Sequence, residues 1–153
     1  MDDFKVSVVV PAYNNADYTV ETVESVLGQT YKNREIIVVD DGSTDGTREV
    51  LEKFGDQIRY IYKENGGACS ARNLGIGLST SEYVACLDCD DLWLPEKLEY
   101  SVAVLEQDPD LALSFSSCYL IDGVGEITGL VECKAGSPRT YKELLYNNYI
   151  TAA

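Results

Sequence analysis

Four apolar runs rich in β-branched residues alternate with stretches whose apolar positions recur at helical spacing, and this alternation governs the first half of the chain. Lys5-Val6-Ser7-Val8-Val9-Val10, closed by Pro11, reads as a buried strand. From about Tyr18 to Leu27, the residues Val20, Val23, Val26 and Leu27 predict a helix. Glu35-Ile36-Ile37-Val38-Val39 is a second strand. Thr44 or Asp45 can cap the helix behind it, whose apolar face includes Val50, Leu51 and Phe54. Ile58 to Tyr62 predicts a third strand, and Gly66-Gly67 leads into a helix from about Ala68 to Leu78. Tyr83 to Leu87 predicts a fourth strand. Strands joined by helices in this order form an α/β fold: a mostly parallel sheet flanked by helices, in three layers.

In such sheets ligands sit beyond the carboxyl ends of the strands. That rule singles out Pro11-Ala12-Tyr13-Asn14, Asp40-Asp41-Gly42-Ser43 and Asp88-Cys89-Asp90-Asp91, each at a strand end and all on one rim. Past Pro95 a helix is expected to about Gln107, where Asp108-Pro109 stops it. Leu111 to Ile121 is strand-like, and Asp122-Gly123 supports a turn into another strand near Glu126 to Val131. Residues 134–138 read as loop and 141–146 as a short helix.

Composition narrows the chemistry. Twelve basic against twenty-six acidic residues give a net charge of −14, which repels nucleic-acid backbone and anionic lipid. A phosphate ligand would need a local cation, either a metal or a well-placed Arg. With no histidine in the 153 residues, Ser-His-Asp triads, Cys-His dyads and His-rich metal sites are excluded, leaving carboxylates for acid–base and metal work. No apolar run approaches the ~20 residues that span a bilayer, and the first residues lack a signal-peptide pattern. Five cysteines without framework spacing point to reduced thiols and a cytoplasmic setting. Cys86 and Cys89 have redox-motif spacing, but Cys86 falls inside a strand rather than at a helix N-terminus.

Four rim features could carry chemistry. Asp88-Cys89-Asp90-Asp91 presents alternate carboxylates on a turn, which can share a hard cation through oxygen while water and phosphate fill its other positions. Equally, it can be a polar turn capping the next helix. A carboxylate of Asp40-Asp41 can accept from a nucleobase N–H or cap the helix behind it. Tyr13 can stack on a base or be a half-buried loop aromatic. Arg72, early in its helix on this rim, can meet phosphates or base, or form a surface ion pair with a neighbouring Glu. The first strand–helix turn has no glycine, which excludes a dinucleotide fingerprint, and no P-loop occurs. A receiver-like phospho-acceptor domain would want an acidic pair after the first strand, where Pro11-Ala12-Tyr13 stands.

The motifs also come in a recognisable order. Val8-Val9-Val10-Pro11-Ala12-Tyr13-Asn14, Ser25-Val26-Leu27-Gly28-Gln29-Thr30-Tyr31 and Glu35 to Thr47 are followed by Asn65-Gly66-Gly67 with Ala71-Arg72-Asn73-Leu74-Gly75-Ile76. Tyr83 to Asp91 with Pro95-Glu96-Lys97-Leu98 completes a pattern that resembles family 2 glycosyltransferases of the GT-A fold over about residues 4–122. The resemblance implies an inverting enzyme that moves a sugar from a nucleotide diphosphate, the uridine form favoured, to a hydroxyl of a glycan or lipid-linked glycan in polysaccharide biosynthesis. By motif position Pro11, Tyr13 and Asp41 would hold the base, with Arg72 alongside. Asp88 would sit near the ribose or the metal, and Asp90 would ligate Mn²⁺ or Mg²⁺, with Asp91 as a helper.

In the family the catalytic base is a carboxylate on the acceptor side, and no residue here matches it; the resemblance places it beyond Ala153, with Asp122 or Glu126 the nearest candidates within the chain. The expectation is therefore a nucleotide-sugar-binding core over residues 1–122 and an incomplete acceptor-side region over 123–153, the fold truncated on that side. Such a chain would turn over weakly or not at all. The alternative is a non-catalytic nucleotide-sugar-binding module lacking its acceptor half. Uncovered apolar residues such as Tyr146, Tyr149 and Ile150 suggest a homodimer through the C-terminal segment. A lipid-linked acceptor would bring the chain to the inner face of the membrane.

Overall fold

The structure, a computed structural model, describes residues 5–133. It divides into two compact units between Tyr100 and Ser101. The first unit contains strands β1 (Val6–Ala12), β2 (Arg34–Asp40), β3 (Arg59–Tyr62) and β4 (Tyr83–Cys86). Between them run helices α1 (Ala16–Leu27), α2 (Thr47–Leu51) and α3 (Ala68–Leu78), and α4 (Lys97–Gln107) crosses the division.

The four strands form one sheet in the order β3-β2-β1-β4, every pairing parallel. Right-handed crossovers fix the layers. The steps β1 to β2 and β2 to β3 move in one direction and put α1 and α2 on one face. The step from β3 back across to β4 reverses direction and puts α3 on the other. The two central strands are the valine-rich ones because they are buried on both faces: every residue of β1 is buried, and β2 is buried from Ile36 onward. Edge strands β3 and β4 are half exposed, as their mixed sequences allow. On the α3 face, Ala71, Leu74 and Leu78 pack against Ile37, Val39 and Ile61.

Three local expectations are corrected. The first strand does not stop at Pro11 but runs through Pro11 and Ala12, which pair with Val39 and Asp40. Proline is tolerated there for a geometric reason. Ala12 O accepts from Asp41 N on the β2 side, so the missing N–H of Pro11 would face β4, whose pairing with β1 has already ended at Val9 and Cys86. The helix carrying Leu51 is only one turn long and passes into a 3-10 helix over Glu52–Gln57, broken at Gly55 with φ of 50°. Of the strand expected from Leu111, only Cys118–Ile121 forms, as β5.

The second unit contains β5 paired antiparallel with β6 (Ile127–Val131). Its turn is built by Asp122, whose Oδ1 accepts from Val124 N and Glu126 N, both at 3.0 Å. Gly125 supplies the positive φ of 85° that the turn needs. The expected loop over 134–138, the helix over 141–146 and the dimerising residues Tyr146, Tyr149 and Ile150 lie outside the described residues. So does Ala153, and with it the expectation of a catalytic base beyond that position. Among the described residues no helix is long and apolar enough to cross a membrane, and Cys69, Cys86, Cys89 and Cys118 are free thiols.

Candidate nucleotide-sugar site

Because β1, β2 and β4 are parallel, their C-terminal ends open onto one rim, and the strand order reverses between β1 and β4. That reversal leaves a crevice at the carboxyl ends, the usual ligand position in open α/β sheets. Tyr13 follows β1 at this crevice and is 50% exposed, so its ring is free to stack. Asp88, Cys89, Asp90 and Asp91 follow β4 on the crevice's other side. Asp40 and Asp41 end β2, two strand spacings or about 10 Å from β4.

The loops after β1 and β2 are tied together. Asn14, with a positive φ of 48°, donates from its N to Ser43 Oγ at 3.0 Å. Its Oδ1 accepts from Thr44 N at 2.7 Å. Asp45 caps in two directions: Oδ1 accepts from Thr47 N at 3.0 Å, and Oδ2 from Ala16 N at 3.3 Å. Asp40 is buried, and its carboxylate accepts from Ser43 N at 2.8 Å and Tyr60 Oη at 2.5 Å. Burial, then this carboxylate, raises the Tyr60 hydroxyl above its ordinary pKa.

Asp41 is only 2% exposed. Its carboxylate accepts from Lys63 Nζ, from Gly66 N at 3.0 Å and from Gly67 N at 2.7 Å. It thereby folds the loop between β3 and α3 over the end of β2. Burial pushes its pKa up, but Lys63 and the two backbone donors outweigh burial and hold it below the usual carboxylate value. Gly42 permits the same closure: at its φ of 83°, a Cβ would stand 2.8 Å from Asn65 N. Asn14 was placed on the rim by the sequence but given no role there, and Lys63 was not singled out; the only signal either carries is its place just past a strand end.

Arg72 pairs with Asp88, not with a neighbouring Glu. Asp88 raises the guanidinium's pKa, chiefly through their hydrogen bond. Asp90 is exposed at the turn. Asp91 is pushed above its ordinary pKa by burial first and then by the charges of Asp90 and Asp88. Negative charge is therefore incompletely compensated here, and Arg72 balances only one carboxylate. Among the described residues no three metal-ligating side chains converge. A cation at this turn would rest on one or two carboxylates, which is how Mg²⁺ and Mn²⁺ are held when phosphates and water complete the shell. The residues fit such an ion. Asp122 has its carboxylate committed to the hairpin turn, and Glu126 is exposed.

A family model, Glycosyl transferase family 2, matches residues 7–145. The chain belongs to this family. Among curated relatives, an uncharacterised glycosyltransferase of Rickettsia typhi is 49% identical over 102 residues, 67% of this chain and 32% of that protein. The putative teichuronic acid biosynthesis glycosyltransferase TuaG of Bacillus subtilis is 43% identical over 76% of this chain and 47% of its own length. This family 2 chain spans between 18% and 47% of the length of such relatives. Of solved structures, Staphylococcus aureus TarS 1–349 in complex with UDP-GlcNAc superposes with a TM-score of 0.63 at 32% identity, covering 68% of this chain and 32% of TarS 1–349. The Pyrobaculum calidifontis mannosyltransferase PcManGT, in complex with GDP-Man and Mn²⁺, gives 0.62 at 27% identity, over 78% of this chain and 36% of its own. The fold is thus that of GT-A glycosyltransferases, as the sequence pattern led us to expect.

Proposed function

We propose that the chain is the donor-binding part of an inverting glycosyltransferase that takes a sugar from a nucleoside diphosphate, UDP-linked, and passes it to an acceptor hydroxyl. The observation that carries this reading is the juxtaposition, across the β1–β4 crevice, of an exposed aromatic, a cationic side chain and an incompletely neutralised acidic turn. Tyr13 and the Pro11 backbone would hold the base. Asp41 would serve that site through the loop it fastens, since its own carboxylate already meets three donors. Arg72 would exchange its pairing with Asp88 for the diphosphate, a bidentate match that a guanidinium makes well.

Asp90 and Asp88 would hold a Mg²⁺ or Mn²⁺ ion, which would neutralise charge on the departing diphosphate. Inversion requires the acceptor oxygen to approach the anomeric carbon from the side opposite the diphosphate, with a carboxylate taking its proton; no described residue is assigned that part. The UDP-GlcNAc in the TarS complex supports a uridine donor, and the Mn²⁺ in the PcManGT complex supports the metal.

Calorimetry with UDP and GDP, with Mn²⁺ and in EDTA, tests the reading. UDP binding should strengthen at least about tenfold with Mn²⁺, because at −14 net charge the bare rim opposes an anion. Asp90→Asn should remove that enhancement. Equal affinity in EDTA would sink the metal assignment, and preference for GDP would sink the uridine one.

A further inference from the structure

The segment from Leu87 to Glu96, which carries Asp88 and Asp90, is neither helix nor strand. Its path is held from outside, by one side of α1 and the residues that follow it. Thr22 Oγ1 donates to Asp91 O at 2.9 Å, and Trp93 N donates to Ser25 Oγ at 3.2 Å. Gln29 Nε2 donates to Leu94 O at 2.8 Å, while Gln29 Oε1 accepts from Leu98 N at 3.0 Å. Thr30 N adds a bond to Pro95 O at 2.8 Å. Thr22 and Gln29 both have 0% exposure. Thr22 and Ser25, three residues apart, share one face of α1, and Gln29 follows just past the end of the helix, its Nε2 also donating to Ser25 O at 3.1 Å. Buried polar side chains with every group paired define one geometry sharply, because any displacement leaves a donor or acceptor unmet.

We propose that Thr22 and Gln29 are positioning residues for the cation-and-diphosphate site. By gripping the Asp91 and Leu94 carbonyls they set where the Asp88 and Asp90 carboxylates stand, so affinity for a metal–nucleoside diphosphate pair depends on side chains that touch neither. The proposal rests on the reading of Asp88 and Asp90 given above. Neither residue is a catalytic one; each acts through the backbone of the acidic turn.

Three variants of the chain test it. Thr22→Val removes one donor at nearly constant volume, Gln29→Met removes two donated hydrogen bonds and one accepted one, and Thr22→Ser keeps the hydroxyl. The readouts are amide hydrogen exchange over residues 88–96 and UDP affinity with and without Mn²⁺. In Thr22→Val and Gln29→Met, exchange over 88–96 should quicken about tenfold while β1 and β2 are unchanged. Mn²⁺-supported UDP affinity should fall about tenfold, with affinity in EDTA unaltered. Thr22→Ser should match the parent. If Gln29→Met does not fold, Thr22→Val alone decides. Unchanged exchange in folded Thr22→Val, or an equal loss of affinity with and without Mn²⁺, overturns the proposal while leaving the metal reading intact. A parent chain with no Mn²⁺ enhancement overturns both.

Discussion

The Asp41 carboxylate sits at the end of β2 with Lys63, Gly66 N and Gly67 N all donating to it, so its charge is used inside the protein before any ligand arrives. Asp41→Asn keeps the volume but turns N–H groups toward donors, and should lower stability by about 1–3 kcal/mol in denaturant titrations. The effect has a pH signature. A carboxyl whose folded pKa lies below its unfolded one, as here, contributes stability in full above the unfolded value of about 3.9 and loses it as pH falls through the folded value. The gap in melting temperature between the parent and Asp41→Asn should therefore narrow as pH drops below about 4. A constant gap from pH 7 to 3 would remove Asp41 from this role. In the sequence, Asp41 was visible as a strand-end carboxylate. Whether it faced a base or its own chain was not, because that turns on where Lys63 and Gly66-Gly67 come to lie, more than twenty residues on.

Helix α3 shows how closely one element can seat on another. A Cβ built on Gly75 would stand 2.4 Å from Val9 Cγ1, a stiff β-branched side chain with 0% exposure in the middle of β1. Gly77, two residues on, has nothing within 4 Å of such a Cβ. Gly→Ala within a helix gains up to about 1 kcal/mol from propensity, while overpacking a tight core costs about 1–3 kcal/mol. Gly75→Ala should thus lower the melting temperature, and Gly77→Ala should raise stability by about 0.4–1 kcal/mol. Calorimetric scans of the two variants check both signs; stabilisation by Gly75→Ala would show that α3 does not press on β1 this closely. Along the sequence both glycines simply fall within the helix expected from about Ala68 to Leu78. Their opposite roles are invisible along the chain because the neighbour that distinguishes them belongs to β1.

At the scale of the whole chain, stability is unevenly spread. β1 and β2 are buried on both faces, whereas the β5–β6 hairpin leaves Tyr119, Leu120, Val124, Ile127 and Leu130 at least 50% exposed. A lone two-stranded hairpin is marginally stable at best. Native-state hydrogen exchange should find amides of Val8–Val10 and Ile37–Val39 exchanging only through global unfolding, and those of residues 118–131 exchanging orders of magnitude faster. Equal protection would mean the hairpin is covered in solution. The α/β class, the parallel sheet and the rim of strand ends followed from the sequence, because burial on both faces demands long β-branched runs and helical periodicity shows between them. Strand lengths resisted such reading: Pro11 continues β1 only because β4 has already ended beside it, and residues 111–117, though strand-like, form no strand. Local propensity sets what a segment can be, and partners distant in sequence set whether it is. The sequence by itself determined the fold class, the rim and the carboxylates, Tyr13 and Arg72 upon it. Only the tertiary structure decided that Arg72 pairs with Asp88, that Asp41 fastens a loop and that α1 grips the acidic turn, since hydrogen bonds between residues some sixteen to seventy positions apart exist only once the sheet has brought them together.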